Sequence, residues 1–305
     1  MNILIIGYGS IAKKHIAALE LMDLDFHFWA LRSIGSNPMN GVKNIYDYNE
    51  IPKNIDFVII SNPTNKHIDT IKKLVPLRLP LFIEKPIAHT LDNLNETISA
   101  IKNYNLITYV ACVLRFHPCL LYVKKYLEEG VQRINEVNIY CGSYLPDWRL
   151  NEDYKNIYSA QAANGGGVHL DLFHEIDYTV WLFGDPWKSS GILESKSSLD
   201  IDAFDYANYT FRYDSFNVNM VLNYYRKFPK RKMEIVFSDK IWEIDLISGV
   251  IIENDEYEIF KTHTSIADLY KEQLNYFINS IKRQQDTENN FESSAKILQY
   301  CLNYE

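Results

Sequence analysis

The chain opens Asn2-Ile3-Leu4-Ile5-Ile6-Gly7-Tyr8-Gly9-Ser10-Ile11-Ala12, directly after Met1. Asn2 to Ile6 is an apolar run stopped by glycine, which reads as a buried strand. From Ser10 to Leu21 the apolar residues Ile11, Ala12, Ile16 and Leu19 recur at helical spacing. The turn between strand and helix fits the pattern GxGxxA. Gly7 allows a tight turn, Gly9 removes a Cβ where backbone must approach a pyrophosphate, and the small Ala12 lets the helix pack close to a sheet. The helix start, with Tyr8, Ser10 and Ile11 in the same turn, offers free N–H groups and a positive dipole end to phosphates. A dinucleotide site is therefore expected at residues 7–12.

Outward from this turn, strand and helix alternate. Phe26–Leu31, a weaker Val42–Ile45, Ile55–Ile60, Leu81–Ile83 and Leu106–Cys112 read as strands. Helical patterns cover Lys66–Val75 and Leu91–Asn103. Such alternation implies parallel βαβ units in a doubly wound sheet, which binds ligands beyond the carboxyl ends of its strands. An NAD site usually carries an acid about 20 residues after the glycines, on the ribose 2′-hydroxyl. Here the second strand ends Ala30-Leu31-Arg32-Ser33, without one. Arg32 can pair with a 2′-phosphate and Ser33 can donate to it, which favours NADP over NAD. Stacking on an adenine or facing solvent are the alternatives for Arg32.

The 305 residues call for two domains, expected at 1–118 and 119–305. The first is the dinucleotide-binding domain, the second an α/β substrate domain. Apolar residues make up 47% and the net charge is −8, a globular balance that argues against a nucleic-acid partner. Neither a leader nor a membrane-length apolar run is read in the sequence, so a cytoplasmic protein is expected. Cys112, Cys119, Cys141 and Cys301 form no CxxC pair and read as buried thiols, with no metal site. From Gln132 to Tyr144 and Ala203 to Ile259 the chain alternates at period two, as in Asn217–Tyr224 and Lys232–Phe237. That predicts an open, mostly antiparallel sheet whose uncovered face suits a homodimer or homotetramer. Helices are expected over Ala267–Lys282 and Phe291–Asn303.

Three further motifs follow in order. Ser61-Asn62-Pro63-Thr64-Asn65-Lys66-His67 ends the third strong strand, and Glu84-Lys85-Pro86 ends the next. Gly165-Gly166-Gly167-Val168-His169-Leu170-Asp171-Leu172-Phe173-His174-Glu175-Ile176-Asp177 lies in the second half. With the glycine turn they resemble the Gfo/Idh/MocA family of nicotinamide-dependent oxidoreductases, across essentially the whole chain. The resemblance implies a Rossmann domain followed by an α/β domain with an open sheet. It also implies hydride transfer at a carbon of a sugar, polyol or nucleotide-linked sugar. The Tyr144–Arg149 stretch and the Glu175–Tyr178 run are similar to members linked to bacterial surface-glycan sugars.

The resemblance gives roles to residues. Lys85 would hydrogen-bond the reacting hydroxyl and favour the developing alkoxide; a surface ion pair with Glu84 is the alternative. His174 would be the general acid/base and Asp171 its orienter or a substrate ligand, with all three of Asp171, His174 and Asp177 on one helix face. Asp177 would tie down the helix. This chain spaces Asp171 and His174 three residues apart where many members have four, which bears on Asp171 more than on His174. His169 ranks second as the histidine. Ser61, Asn62, Pro63, Thr64, His67, Glu84 and Lys85 would line the cofactor, with Thr64 or Asn65 also available as a helix cap. Arg115 would bind substrate oxygens or serve a structural role between domains; Trp148, Arg149 and Tyr158, in a loop rich in aromatic and polar groups, would shape a sugar site or pack over the sheet. Two other functions stay open: a hydrolase or lyase that uses a tightly held nucleotide transiently, and a non-catalytic dinucleotide sensor.

Overall fold

The computed structural model describes residues 1–37, 39–130 and 132–303. It divides into two compact units. Unit 1 comprises Met1–Val113 and Ser265–Leu298, and unit 2 comprises Leu114–Thr264 and Gln299–Glu305.

Unit 1 runs β1 (Asn2–Ile6), α1 (Ser10–Glu20), β2 (His27–Leu31), β3 (Val42–Ile45), β4 (Phe57–Ile60), α2 (His67–Leu74), β5 (Leu81–Ile83), α3 (Leu94–Asn103) and β6 (Thr108–Val110). All six strands are parallel, in the order β3-β2-β1-β4-β5-β6. The chain leaves β3 at one edge and re-enters beside β1 as β4, so the strand order reverses between β1 and β4. Ile3, Leu4, Ile5, Phe57, Val58, Ile59 and Ile60 are fully buried, as strands covered on both faces must be.

In unit 2, α4 (Pro118–Glu128) leads to β7 (Ile134–Tyr144). Two short helical pieces follow, α5 (Val168–Asp171) and α6 (Phe173–Phe183). Then come β8 (Lys188–Glu194), β9 (Tyr206–Arg212), β10 (Asn217–Asn223), β11 (Tyr225–Phe237), β12 (Ile241–Asp245), β13 (Val250–Glu253) and β14 (Tyr257–Lys261). The eight strands lie in the order β14-β13-β12-β11-β7-β10-β9-β8. Among the described residues, only the β7–β10 pairing is parallel. Along β9 and β10 buried residues (Ala207, Tyr209, Phe211; Val218, Met220, Leu222) alternate with more exposed ones, so one face is packed and the other open.

The expected fold class, a doubly wound parallel sheet followed by a mostly antiparallel one, is the one observed. The units divide differently from the expected cut at residue 118. Helix α7 (Ile266–Arg283) and α8 (Phe291–Cys301), up to Leu298, return to the first unit. The cause is apolar cover. Phe277 of α7 is fully buried, edge-on to Phe57 of β4 at 5.4 Å and to Phe82 of β5 at 5.6 Å. The connection from α7 to α8 also closes the β6 edge: Val110 N donates to Asn289 O at 2.8 Å, and Asn289 Nδ2 returns a bond to Val110 O at 2.7 Å. A bare parallel edge would leave those groups unpaired. The sequence showed these helices as amphipathic but not which sheet they would cover.

Candidate functional site

In unit 1 the expected cofactor residues gather where the strand order reverses. Gly7 has φ 85, and a Cβ there would stand 2.5 Å from Asn62 Cα and N, so only glycine fits. Ser61 of the facing turn donates its Oγ to Gly7 O at 2.8 Å. Gly9 is the exposed cap of α1, with no side-chain bond to the helix start and nothing within 4 Å of where its Cβ would be. Ser10 is exposed, Ile11 half-buried and Ala12 fully buried against the sheet. An open space before an uncapped helix start suits a pyrophosphate, so these residues fit a dinucleotide.

Arg32, at the end of β2, lies over the Tyr8 ring at 5.4 Å and donates to Asn37 O at 2.7 Å. Burial raises the Tyr8 phenol pKa, and the Arg32 charge opposes that. Ser33 is exposed and its carbonyl accepts from Ser36. Pro63 is exposed, while Thr64 is buried in the short turn Thr64–Lys66. Neither Thr64 nor Asn65 caps α2, whose cap residue Lys66 makes no side-chain cap bond.

Two expected ligands do other work. His67 is buried, with Nδ1 3.0 Å from Pro86 O and Nε2 2.8 Å from Asn62 O. Burial lowers its pKa, and the two carbonyl contacts oppose that. It joins the Asn62 and Pro86 loops. Glu84 is buried and its carboxylate goes to His15 of α1, Nε2 to Oε1 at 2.5 Å. The Glu84 carboxylate thus meets a partner 69 residues away in the chain. Lys85 is half-buried, and from Leu81 to Ala88 it is the only residue that is not buried.

Unit 2 shows the same selectivity. From Gly165 to Thr179, Asp171 and His174 are the two residues that are not buried. The helix expected through them is broken at Leu172, so Asp171 ends α5 while His174 stands in the first turn of α6. The glycine run explains the placement. A Cβ on Gly166 would stand 2.3 Å from Tyr158 O, and Gly167 has φ 130. Asp171 Oδ2 accepts from the Tyr224 hydroxyl at 2.5 Å. Burial, then the Asp171 charge, pushes the Tyr224 pKa well above 10, which keeps it a donor. Trp148 lies edge-on to Tyr224 at 5.3 Å and donates Nε1 to Ser143 Oγ at 3.0 Å. Asp171, Tyr224 and the partly exposed Trp148 therefore form one chain of contacts.

Other expected substrate residues have partners within the protein. Arg115 is buried and gives Asp177 two parallel bonds of 2.8 Å, Nε to Oδ2 and Nη2 to Oδ1. It anchors α6, as the structural alternative required, and Asp177 ties the helix down as expected. The Tyr158 hydroxyl donates to Gly165 O at 2.8 Å and so holds the glycine turn. Arg149 is exposed and pairs with Glu152 in its own loop. His169 is buried, and desolvation lowers its pKa to about 4, in keeping with its second rank. Tyr224 and His15 were missed. Neither belongs to a local motif, and their partners lie 53 and 69 residues away. All four cysteines are buried, and among the described residues no acid, histidine and cysteine group could hold a metal.

Unit 1 thus has the class of a Rossmann dinucleotide-binding domain, with glycine turn, facing loop and strand-end lysine on the carboxyl side of its sheet. Residues 1–112 match the Gfo/Idh/MocA family model, described as an oxidoreductase family with an NAD-binding Rossmann fold. Levoglucosan dehydrogenase of Pseudarthrobacter phenanthrenivorans is 25% identical over 209 residues, 61% of this chain and 52% of that protein. Rhizopine catabolism protein MocA of Rhizobium meliloti is 25% identical over 201 residues, 64% and 61% of the two chains. The chain thus matches about half to three fifths of the length of these curated relatives. In three dimensions a levoglucosan dehydrogenase in complex with NADH superposes with a TM-score of 0.84, covering 99% of this chain and 95% of that one at 17% identity. A UDP-N-acetylglucosamine 3-dehydrogenase from Acidithiobacillus ferrooxidans gives 0.79 over 100% and 96%, at 15% identity.

Proposed function

We propose that this protein is a nicotinamide-dependent oxidoreductase acting on a CH–OH carbon of a sugar, polyol or nucleotide-linked sugar. The observation that carries the reading is selective exposure. In each of two otherwise buried segments, the residues left accessible can handle a proton: Lys85 in one, Asp171 and His174 in the other. Charged side chains ordinarily stay in water; here three of them stay open within segments whose other residues are buried, which leaves them accessible to a ligand.

The Gly7–Ala12 turn would hold the pyrophosphate, and Ser61, Asn62, Arg32 and Tyr8 would border the rest of the dinucleotide. When bound, the nicotinamide supplies a hydride acceptor or donor. Lys85 donates a hydrogen bond to the reacting oxygen and stabilises negative charge as it develops. His174 takes up or returns the hydroxyl proton. Asp171, held by Tyr224, fixes a substrate hydroxyl, and Trp148 offers an apolar ring face to a sugar. Arg32 and the absence of an acid at the end of β2 favour NADP. Ile192 and Ile241, exposed on the open face of the second sheet, support a homo-oligomer formed through that face. Buried thiols suit the cytoplasm.

The test is a panel of levoglucosan, myo-inositol, sugar phosphates and UDP-N-acetylglucosamine with both oxidised nucleotides, followed at the absorbance of the reduced nicotinamide. Turnover of the nucleotide sugar would place the protein in surface-glycan chemistry. Lys85→Met and His174→Ala should each abolish turnover while nucleotide affinity stays within about threefold. Full activity in both variants refutes the assignment. Product formation without net reduction of nucleotide would instead identify the transient-oxidation hydrolase or lyase. Arg32→Ala should weaken NADP binding about tenfold or more and NAD little; equal losses refute the NADP preference.

A further inference from the structure

Within unit 1, two buried histidines from different helices hold the residues on either side of Lys85. His15, on the second turn of α1, is fully buried, and the Phe82 and Tyr270 rings pack edge-on to it at 4.9 and 5.2 Å. Its Nε2 meets Glu84 Oε1 at 2.5 Å, and its Nδ1 has no hydrogen-bond partner among the described residues. One donor is needed, at Nε2, so the Nε2–H tautomer fits. It leaves only a lone pair unpaired at Nδ1, where the other tautomer would bury an unmet N–H and turn a lone pair toward the carboxylate. His67, opening α2, faces the Pro86 carbonyl at 3.0 Å and the Asn62 carbonyl at 2.8 Å.

Strand β5 ends at Ile83, two residues before Lys85. Ile83 O still accepts from Ala111 N at 2.9 Å, and Glu84 N donates to Ile60 O at 2.9 Å. Beyond that point the chain turns, and the contacts of its flanking residues to α1 and α2 take over. A lysine side chain is long and flexible, so where its ammonium can reach depends on how firmly its backbone is held.

We propose that His15 and His67 are positioning residues for Lys85. His15 fixes Glu84, and His67, as its Nδ1–H tautomer, donates to the Pro86 carbonyl, so the backbone between them presents the lysine from one place. The same helices carry the turns that border the dinucleotide: α1 follows Gly7–Gly9, and α2 follows Ser61–Asn62. Order in those turns is thereby coupled to the placement of the lysine. The inference rests on the reading of Lys85 as a reacting residue, and its test keeps the two separate.

His15→Leu removes the donor and keeps apolar bulk, whereas His15→Gln restores an amide N–H within reach of Glu84. The same pair of substitutions applies at His67. On whichever sugar the panel identifies, each leucine variant should lose about tenfold or more in kcat, with the KM for nucleotide within about twofold. Each glutamine variant should recover most of kcat. A purely structural role would lower thermal stability without a loss of kcat per folded molecule and without rescue by glutamine. Folded leucine variants with kcat within about twofold of the parent overturn the proposal. If Lys85→Met is inactive while both leucine variants are active, the brace falls and the lysine assignment stands. If Lys85→Met is fully active, both fall. Should the leucine variants fail to fold, long-range proton–nitrogen NMR of the unaltered protein decides: an Nε2–H tautomer at His15 is expected, and an Nδ1–H tautomer overturns the pair.

Discussion

Arg115→Met separates a structural arginine from a substrate-binding one. The guanidinium side chain is 9% exposed and the Asp177 carboxylate 1%, and the two share a pair of 2.8 Å bonds. Trp181 lies under the guanidinium at 5.8 Å. Methionine fills much of the aliphatic volume but leaves Asp177 charged, buried and without this partner. Breaking a buried pair from one side costs about 3–5 kcal/mol. For a unit of this size the melting temperature should fall on the order of 10 °C. Removing both charges together is far less costly, so Arg115→Met with Asp177→Leu should regain most of the loss. Urea unfolding followed by tryptophan fluorescence is the assay. Four of the five tryptophans (Trp148, Trp181, Trp187 and Trp242) lie in unit 2, so the signal reports that unit. The KM for the sugar should stay within about twofold in the folded protein. A loss of less than about 1 kcal/mol with a tenfold rise in KM would refute the structural assignment and return Arg115 to the substrate.

Gly7→Ala should abolish nucleotide binding and cost about 1–3 kcal/mol, since φ 85 is strained for alanine and its Cβ would meet Asn62 backbone at 2.5 Å. Unchanged affinity in a nucleotide fluorescence titration would contradict that geometry. The pH dependence follows from buried histidines. Desolvation lowers the His169 pKa from 6.5 to about 4, and those of His67 and His117 move in the same direction. Between pH 6.5 and 4 the unfolded chain then binds protons that the native state does not, so stability is full above pH 6.5 and falls as pH drops. His169 alone should contribute a loss of about 3 kcal/mol by pH 4, at up to about 1.4 kcal/mol per pH unit. Denaturation midpoints should therefore fall from pH 7.5 to 5, and His169→Leu should flatten the slope; a slope unchanged in that variant would refute the assignment. Tyr224→Phe should lower kcat/KM about tenfold by freeing Asp171, with nucleotide affinity retained; unaltered kinetics would remove Asp171 from the site.

The sequence alone determined the order of strands and helices in the first unit, because apolar periodicity and glycine turns are local properties. NILII, IDFVII and the GxGxxA turn carry that information within a dozen residues. It also marked Lys85 and His174, since short motifs name their own members. It did not reveal what those motifs are fastened to. His15 with Glu84, Arg115 with Asp177 and Tyr224 with Asp171 join residues 53 to 69 positions apart. None of these pairs has a periodicity or spacing to read. Nor did the amphipathic face of α7 say which sheet it would cover. Tertiary structure decided these points, because a buried polar or apolar group takes whatever partner the packed elements bring within reach, and that depends on strand order and helix placement rather than on chain neighbours.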